Sequence, residues 1–171
     1  MIANKHPKIK TKDEIEKIIS DLKKKGKVIV TTNGSFDILH SGHVASLDIA
    51  KSKGDILVVG LNSDKSIKKY KSKDRPIVPQ EHRARMLAGL EAVDFVVIFD
   101  ETDPRALLEA IKPHFHVKAK TGYTGIEQET VEKHGGKIVL IEHIGNHSTS
   151  NIINKILEVY GSKKKTKEDK K

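Results

Sequence analysis

Apolar segments of strand length alternate with amphipathic helical patterns along most of this chain. Several of the short runs are rich in valine and isoleucine and lack polar alternation, which is typical of parallel strands buried on both faces. The pattern predicts strands at Val28–Thr32, Ile56–Leu61, Phe95–Ile98, His114–Lys118 and Ile138–Ile141. It predicts helices at Lys12–Lys25, His43–Lys53, Pro79–Ala92, Pro104–Lys112, Gly125–His134 and Thr149–Tyr160.

The order of these elements predicts the fold. Alternating strands and helices indicate a single α/β domain, a Rossmann-like doubly wound sheet of about five parallel strands flanked by helices. Right-handed crossovers then gather the carboxyl ends of the strands on one rim, where such sheets bind ligands near the topological switch point. One helix start is marked by Asp103-Pro104, a capping carboxylate before a proline at the first helical position.

Composition separates a main domain from two short ends. The predicted elements occupy residues 12–160, after an N-terminal extension over residues 1–11. A lysine-rich tail over residues 161–171 is expected to be disordered, because it is polar and nearly free of apolar residues. It holds six lysines against Glu168 and Asp169, and so contributes much of the net charge of +9.

Composition also excludes several kinds of protein. The chain has no cysteine, which rules out disulfides and thiolate chemistry. No apolar run reaches membrane-spanning length, so a cytoplasmic protein without a membrane partner is expected. Aromatic residues make up 4% of the chain and tryptophan is absent, which argues against stacking on nucleic-acid bases. The basic surplus equally suits phosphorylated ligands.

The most informative segment joins the first predicted strand to the next helical pattern. A turn of this kind directs backbone N–H groups and the positive end of a helix dipole at one point, which suits an anion. Two imidazoles three residues apart add donors that can carry positive charge. Glycines at 34 and 42 allow a tight backbone and a close approach of phosphate. The segment reads Asn33-Gly34-Ser35-Phe36-Asp37-Ile38-Leu39-His40-Ser41-Gly42-His43.

This segment resembles the signature Gly-x-Phe-Asp-x-x-His-x-Gly-His of the cytidylyltransferase-like nucleotidyltransferases. Within that superfamily the chain is most similar to the heptose 1-phosphate adenylyltransferases, which make ADP-heptose. The similarity covers nearly the whole domain. Its other parts are Asn62-Ser63-Asp64, Arg75-Pro76, Leu90-Glu91-Ala92-Val93-Asp94 and Ser148-Thr149-Ser150-Asn151-Ile152-Ile153.

The resemblance implies a reaction in which a substrate phosphate attacks the α-phosphorus of a nucleoside triphosphate. Positioning and charge neutralisation supply most of the catalysis in such a reaction. His40 and His43 would then bind the α-phosphate region and the leaving group. Surface histidines or a zinc pair are the alternatives, although no third zinc ligand is evident. The expected nucleotide-binding residues around them are Thr32, Asn33, Gly34, Ser35, Phe36 and Gly42, of which Phe36 is expected to pack under the loop.

Asp37 cannot lie beside phosphates without a counter-charge, so three roles are open for it. It orients a histidine, caps the following helix or helps to hold Mg²⁺. Magnesium itself is expected to bind through the phosphates, and no other protein ligand for a metal is predicted.

A second group of residues is assigned through the resemblance, each with a simpler alternative. Lys51 matches a phosphate-contacting position but is also a plain helix lysine. Asn62 and Asp64 would belong to the sugar-phosphate pocket, although Asp64 alternatively caps a short helix. Arg75 and Arg83 are candidate phosphate clamps, because a guanidinium offers a fixed fork of donors, and Arg83 is the better structural candidate.

Two further segments complete the predicted site. Ser148, Thr149 and Ser150 precede a helical pattern and either cap it or bind triphosphate oxygens, the role that the resemblance favours. Lys118 is expected to bind the sugar phosphate. The loop after it departs from the heptose enzymes, because residues 117–123 carry an extra Lys120 and lack the acidic residue expected after this strand.

Together with these residues, the resemblance implies a magnesium-dependent nucleotidyltransferase that joins a nucleoside monophosphate to a sugar or polyol phosphate and releases pyrophosphate. ATP with heptose 1-phosphate is the first choice, and CTP with glycerol 3-phosphate or a related alcohol phosphate is the alternative. Two other classes remain open, namely a nucleic-acid-binding module that uses the basic tail and a nucleotide sensor without turnover. The resemblance also suggests a homodimer.

Overall fold

A single parallel sheet runs through the protein, whose computed structural model describes residues 6–142 and 148–161. The strands in this part of the chain are β1 (Ile9–Lys10), β2 (Ile29–Gly34), β3 (Ile56–Asn62), β4 (Phe95–Phe99), β5 (Phe115–Ala119) and β6 (Lys137–Ile141). They lie in the order β1-β4-β3-β2-β5-β6, and every neighbouring pair is parallel. The predicted doubly wound α/β fold is confirmed.

Helices connect the strands and begin or end where local chemistry requires. They are α1 (Lys12–Lys24), α2 (Ser41–Lys51), α3 (Asp64–Tyr70), α4 (Gln80–Ala88), α5 (Arg105–Ile111), α6 (Gln128–Glu132) and α7 (Thr149–Tyr160). The predicted start of α6 at Gly125 is too early, because Gly125 has a φ of 81°, outside the helical region. Pro104 occupies the N-cap of α5 rather than its first turn, and Asp103 accepts a hydrogen bond from the Arg105 N–H.

Strand β1 lies inside the predicted N-terminal extension, so part of that segment belongs to the fold. Ile9 pairs with Val96 at the edge of the sheet. Lys8 strengthens the attachment, because its ammonium donates to the backbone carbonyls of Leu90 and Val93. A two-residue strand is too short to show periodicity, which is why the sequence pattern missed it. The tail from residue 162 lies outside the described residues, so its predicted disorder stays a prediction.

Both faces of the sheet are covered by apolar side chains from the helices. On one face, Leu47 of α2 and Leu87 of α4 pack against residues of β2, β3 and β4. On the other face, Ile15 and Ile19 of α1 and Leu107 of α5 form a second cluster. Covering both faces explains why the strands are apolar without alternation. In the described residues, no helix is both long and apolar enough to cross a membrane.

The order of the strands creates a switch point between β2 and β5. From β2 the chain continues outward through β3 and β4, and it then crosses to the other side of β2 to form β5 and β6. The crevice at the carboxyl ends of β2 and β5 is therefore the expected place for a ligand.

A histidine is buried in the sheet beside this point. His116 of β5 is fully buried, and its Nδ1 lies 2.8 Å from the hydroxyl of Thr31. Its Nε2 is buried with no hydrogen-bond partner in the described part of the chain. Burial, reinforced by the charge of Lys118, lowers the pKa of His116 to about 3.

We expect His116 to make folding stability depend on pH. The unfolded chain binds a proton below about pH 6.5, whereas folded His116 stays neutral down to about pH 3, so acid favours unfolding. Lowering the pH from 7 to 5 should remove about 2 kcal/mol of unfolding free energy through this residue alone. In the variant His116→Asn, chemical denaturation at pH 7 and at pH 5 should show a smaller loss of unfolding free energy than in the unchanged protein.

The control is His82→Asn, which changes an exposed histidine of α4. It should lose as much stability between pH 7 and pH 5 as the unchanged protein. An equal loss in His116→Asn would show that His116 does not carry the effect.

Candidate active site

A cavity of about 610 Å³ opens at the carboxyl rim, at the switch point between β2 and β5. Its wall is formed by the turn after β2, the first turns of α2, the end of β5, and residues near the end of α3 and the start of α7. The lining residues are Thr32, Asn33, Gly34, Ser35, Phe36, His40, Gly42, His43, Ser46, Leu47, Tyr70, Lys71, Arg75, Val117, Lys118, Ala119, Thr121, Ile141, Ser148, Thr149 and Ser150.

The turn after β2 is held by the ring of Phe36. This ring is 8% exposed and belongs to the apolar core, as expected for a residue that packs under the loop. Phe36 has a φ of 43°, in the left-handed region that non-glycine residues rarely adopt. A Cβ on Gly34 would lie 3.1 Å from the Phe36 ring, so glycine gives the ring the space it needs.

The two histidines stack on one another at the start of α2. Their ring centroids are 3.8 Å apart with 24° between the planes, and the ring of Phe36 lies 5.1 Å from that of His43. His40 is the N-cap residue of α2, so both rings lie at the positive end of this helix, and both residues line the cavity. The zinc alternative has no support, since the described residues contain no group of three or more potential metal ligands.

Asp37 ties a distant segment to this turn. One carboxylate oxygen accepts hydrogen bonds from the N–H groups of Ile77 and Val78, at 2.7 and 3.0 Å. The other oxygen forms an ion pair with Arg75 at 2.7 Å. Asp37 does not cap α2, because His40 occupies that position without a side-chain hydrogen bond. The carboxylate is 2% exposed, and its contacts hold Arg75 at the cavity wall.

Arg83 supports the same turn from behind and does not line the cavity. Its buried guanidinium donates to the carbonyls of Val78, Ser35 and Asn62 and pairs with Asp64 at 2.6 Å. These contacts are those of a structural residue, the role for which the sequence favours Arg83 over Arg75. Asn62 and Asp64 also lie outside the cavity wall, and the cap of α3 is Ser63 rather than Asp64. This set therefore positions the site instead of lining it.

Lys51 lies far from the histidines. It is the last residue of α2, eight residues beyond His43, which places it about 12 Å farther along the helix axis. Its ammonium contacts the Asp94 carboxylate and the Asp55 carbonyl, each at 2.5 Å. Asp94 also accepts the N–H of Leu57. These contacts support a structural role at the opposite end of the sheet.

Lys118 lines the cavity at the end of β5. Its ammonium donates to the side-chain oxygen of Asn33 at 3.0 Å and pairs with Glu127 at 3.1 Å. The contact with Asn33 follows from the strand register, because Thr31 of β2 pairs with His116 of β5, two residues earlier in each strand. The sequence did not single out Glu127, since it is one of three glutamates in a short helical pattern.

The hydroxyl residues at the start of α7 include a helix cap and also lie at the cavity. Ser148 caps the helix, because its side chain accepts the N–H of Asn151 at 3.1 Å. Ser148, Thr149 and Ser150 also line the cavity. A cap and a ligand contact are compatible here, since a helix start has further N–H groups without partners in the helix.

Tyr70 and Lys71 are cavity residues that sequence reasoning missed. Lys71 donates to the Ser35 hydroxyl at 2.9 Å and so bridges the end of α3 to the turn. Desolvation, followed by repulsion from Arg75, lowers the pKa of Lys71. Lysines at 65, 68, 69 and 73 surround this position in the sequence, and nothing in such a run distinguishes the one that reaches a cavity.

The cavity wall is strongly basic. Lys71, Arg75 and Lys118 contribute basic side chains beside the two imidazoles, and none of the described residues that line the cavity carries a carboxylate. The carboxylates of Asp37 and Glu127 lie behind the wall, where each pairs with one of these cations. A wall of this composition, next to a helix start, suits a polyanion such as a triphosphate.

Comparisons with known proteins agree with this geometry. The model of the cytidylyltransferase-like family matches residues 31–169. The bifunctional protein HldE of Geobacter metallireducens is 47% identical over 157 residues, covering 90% of this chain and 32% of that protein. HldE of Aliarcobacter butzleri is 46% identical over 158 residues, with 91% and 32% covered. The chain thus spans about a third of the length of the curated relatives it matches.

Solved structures share the fold. A lipopolysaccharide core biosynthesis protein from Thermoplasma volcanium is 29% identical, with a TM-score of 0.61 over 70% of this chain and 100% of its own. Pantoate-beta-alanine ligase from Francisella tularensis shares only the fold, at 17% identity and a TM-score of 0.58 over 83% of this chain and 68% of that one. Since the family model covers most of the chain, including the turn after β2 and both histidines, the chain belongs to the cytidylyltransferase-like family.

Proposed function

We propose that this chain transfers a nucleoside monophosphate from a nucleoside triphosphate to a sugar phosphate and releases pyrophosphate. The observation that carries this proposal is the stacked pair His40 and His43 on the wall of a basic cavity of about 610 Å³ at the helix start. Family membership supports the same reaction type.

The proposed reaction needs no covalent intermediate. An oxygen of the acceptor phosphate attacks the α-phosphorus, and the bond from that phosphorus to the oxygen bridging to the β-phosphorus breaks. The bonding electrons leave with pyrophosphate, whose charge must be neutralised as it develops. His40, His43 and the N–H groups at the start of α2 are suited to that task. Lys71 and Arg75 are suited to the remaining phosphate charge, since both line the same wall.

Mg²⁺ is proposed to enter with the triphosphate rather than to bind a protein cage. The described residues include no cluster of acidic or imidazole ligands for a cation, and Asp37 is committed to Arg75 and to two backbone N–H groups. Such residues do not fit a resident metal. Magnesium is commonly bound largely through substrate phosphates, where it neutralises charge.

We propose ATP and heptose 1-phosphate as the substrates, with ADP-heptose as the product. The sequence motifs support this choice, and so do the matches to HldE and to a lipopolysaccharide core biosynthesis protein. A cytoplasmic location is proposed on the nature of these substrates, which are phosphorylated metabolites. The altered loop around Lys120 makes the acceptor the part of the proposal that most needs a direct test.

We also propose a homodimer, which the resemblance suggests. Helix α7 supports it, because its apolar residues recur on one face and are poorly covered. Ile156 is 49% exposed, Leu157 61% and Tyr160 62%. Apolar groups of this kind often mark an interface between proteins.

Pyrophosphate release across a panel of nucleotides and phosphorylated acceptors tests the function directly. The panel pairs ATP and CTP with heptose 1-phosphate, glucose 1-phosphate and glycerol 3-phosphate. ATP with heptose 1-phosphate should give the highest kcat/KM. Binding of a nucleotide without turnover of any acceptor would indicate a sensor. Salt-sensitive binding of oligonucleotides that requires residues 162–171 would indicate a nucleic-acid module instead.

His43→Ala should lower kcat on the order of a hundredfold or more, while nucleotide affinity falls much less. The physical reason is that a donor aimed at developing charge acts mainly on the transition state. Steady-state kinetics measures kcat, and calorimetry with ATP measures the nucleotide affinity. His82→Ala, at an exposed histidine of α4, is the matched control and should leave both unchanged. Equal losses in kcat and affinity would mean that His43 only anchors the ground state.

Lys118→Ala should chiefly raise the KM for the sugar phosphate, by roughly tenfold, because it removes a charge-assisted hydrogen bond to the acceptor. The matched control is Lys120→Ala, which removes an exposed lysine of the same loop that does not line the cavity. An acceptor KM that stays the same in Lys118→Ala would contradict the assignment.

Leu157→Lys should convert a dimer into a monomer in analytical ultracentrifugation, because it buries a charge in an apolar interface. Lys155→Ala, on the polar face of the same helix, should leave the association unchanged. A wild-type protein that sediments as a monomer at micromolar concentration would contradict the proposal.

A further inference from the structure

Glu127 is a buried carboxylate directly behind the cavity wall. The residue is 3% exposed, and its Oε1 lies 3.1 Å from the ammonium of Lys118. It occupies the N-cap position of α6, yet its side chain makes no capping hydrogen bond. Capping therefore does not explain the position of this carboxylate, whereas its pair with Lys118 connects it to the cavity wall.

The contacts of Lys118 define the direction of its ammonium group. A lysine ammonium has three N–H donors, and here one donates to Asn33 while the ammonium also forms an ion pair with Glu127. Lys118 is also part of the cavity wall, with a side chain that is 21% exposed. These two contacts fix the ammonium on the protein side and leave it with donor capacity for the cavity.

The pair is held in place by the energetics of burial. A buried carboxylate is tolerated only with a cationic or hydrogen-bonding partner, and removing one partner leaves an uncompensated charge. Lys118 therefore cannot swing freely into solvent, as a flexible four-carbon side chain otherwise does. The Lys118 side chain therefore loses its conformational entropy when the protein folds. Ligand binding does not have to order this side chain again, so the affinity is higher.

We infer that Glu127 is a positioning residue that fixes the Lys118 ammonium between Asn33 and the cavity and thereby sets the affinity for the acceptor phosphate. The inference rests on the proposed function, because it assigns Lys118 to the acceptor. Glu127 acts through Lys118 and does not line the cavity itself.

A simple charge effect predicts the opposite result, which makes the inference testable. Glu127→Gln removes one negative charge near a site that binds anions. If long-range electrostatics dominated, the phosphate would bind more tightly to the variant. If positioning dominates, the phosphate binds more weakly, because the neutral amide holds the ammonium less firmly. The two explanations therefore differ in the sign of the change.

The experiment compares Glu127→Gln with Glu129→Gln, the same chemical change at an exposed position of α6. Glu127→Gln should raise the KM for heptose 1-phosphate by roughly tenfold, while the KM for ATP and kcat change less than about twofold. Glu129→Gln should leave all three unchanged. An acceptor KM that is unchanged or lower in Glu127→Gln overturns the inference.

A double-mutant cycle separates positioning from a general structural effect. In the background Lys118→Ala, adding Glu127→Gln should raise the acceptor KM no further, because the residue through which Glu127 acts is gone. A second increase of the same size would show that Glu127 acts by another route. If Glu127→Gln fails to fold, Glu127→Asp keeps the charge and withdraws the carboxylate by one methylene, and it should raise the same KM.

Binding without turnover keeps this test independent of the proposed function. Calorimetry with heptose 1-phosphate, and separately with inorganic phosphate, reports affinity in the absence of nucleotide. Weaker binding of these probes by Glu127→Gln than by Glu129→Gln supports the inference, whether or not any acceptor is turned over. A lack of turnover would refute only the proposed reaction. If the two variants bind heptose 1-phosphate and inorganic phosphate with equal affinity, the inference about Glu127 is overturned.

Discussion

The turn between β2 and α2 depends on two buried ionic residues that support it. Asp37 accepts two backbone N–H groups and pairs with Arg75, and Arg83 donates to the carbonyl of Ser35 and pairs with Asp64. Buried charges of this kind persist only when they are paired, so each contact also fixes its neighbours. The position of the stacked imidazoles follows from this support, because they begin the helix that the turn introduces.

The pairing of buried charges also explains the arrangement of charged residues around the cavity. Cations reach the wall while carboxylates lie behind it, as in the pairs of Arg75 with Asp37 and of Lys118 with Glu127. Such pairs hold flexible basic side chains in fixed directions before any ligand arrives. A triphosphate would then meet donors that are already oriented, which is the condition under which electrostatic stabilisation of a transition state is most effective.

Sequence patterns predicted the sheet because strands buried on both faces are continuous apolar runs, as in β3. They predicted the cavity through the turn after β2, where residue types and spacing suit an anion. They missed β1, whose two residues show no period. Lys71 and Glu127 were missed because each has similar neighbours in the sequence, and only tertiary contacts select one of them. The resemblance assigns Lys51 to the site, yet this residue lies at the far end of α2 in contact with Asp94.

The most direct test of the imidazole pair is a crystal structure with an ATP analogue whose α,β-bridging oxygen is replaced by a methylene group. The proposed chemistry predicts ring nitrogens of His40 and His43 within hydrogen-bond distance, about 2.7–3.2 Å, of phosphate oxygens at the start of α2. Rings that point away from the phosphates, or that hold a structural metal ion, would contradict it.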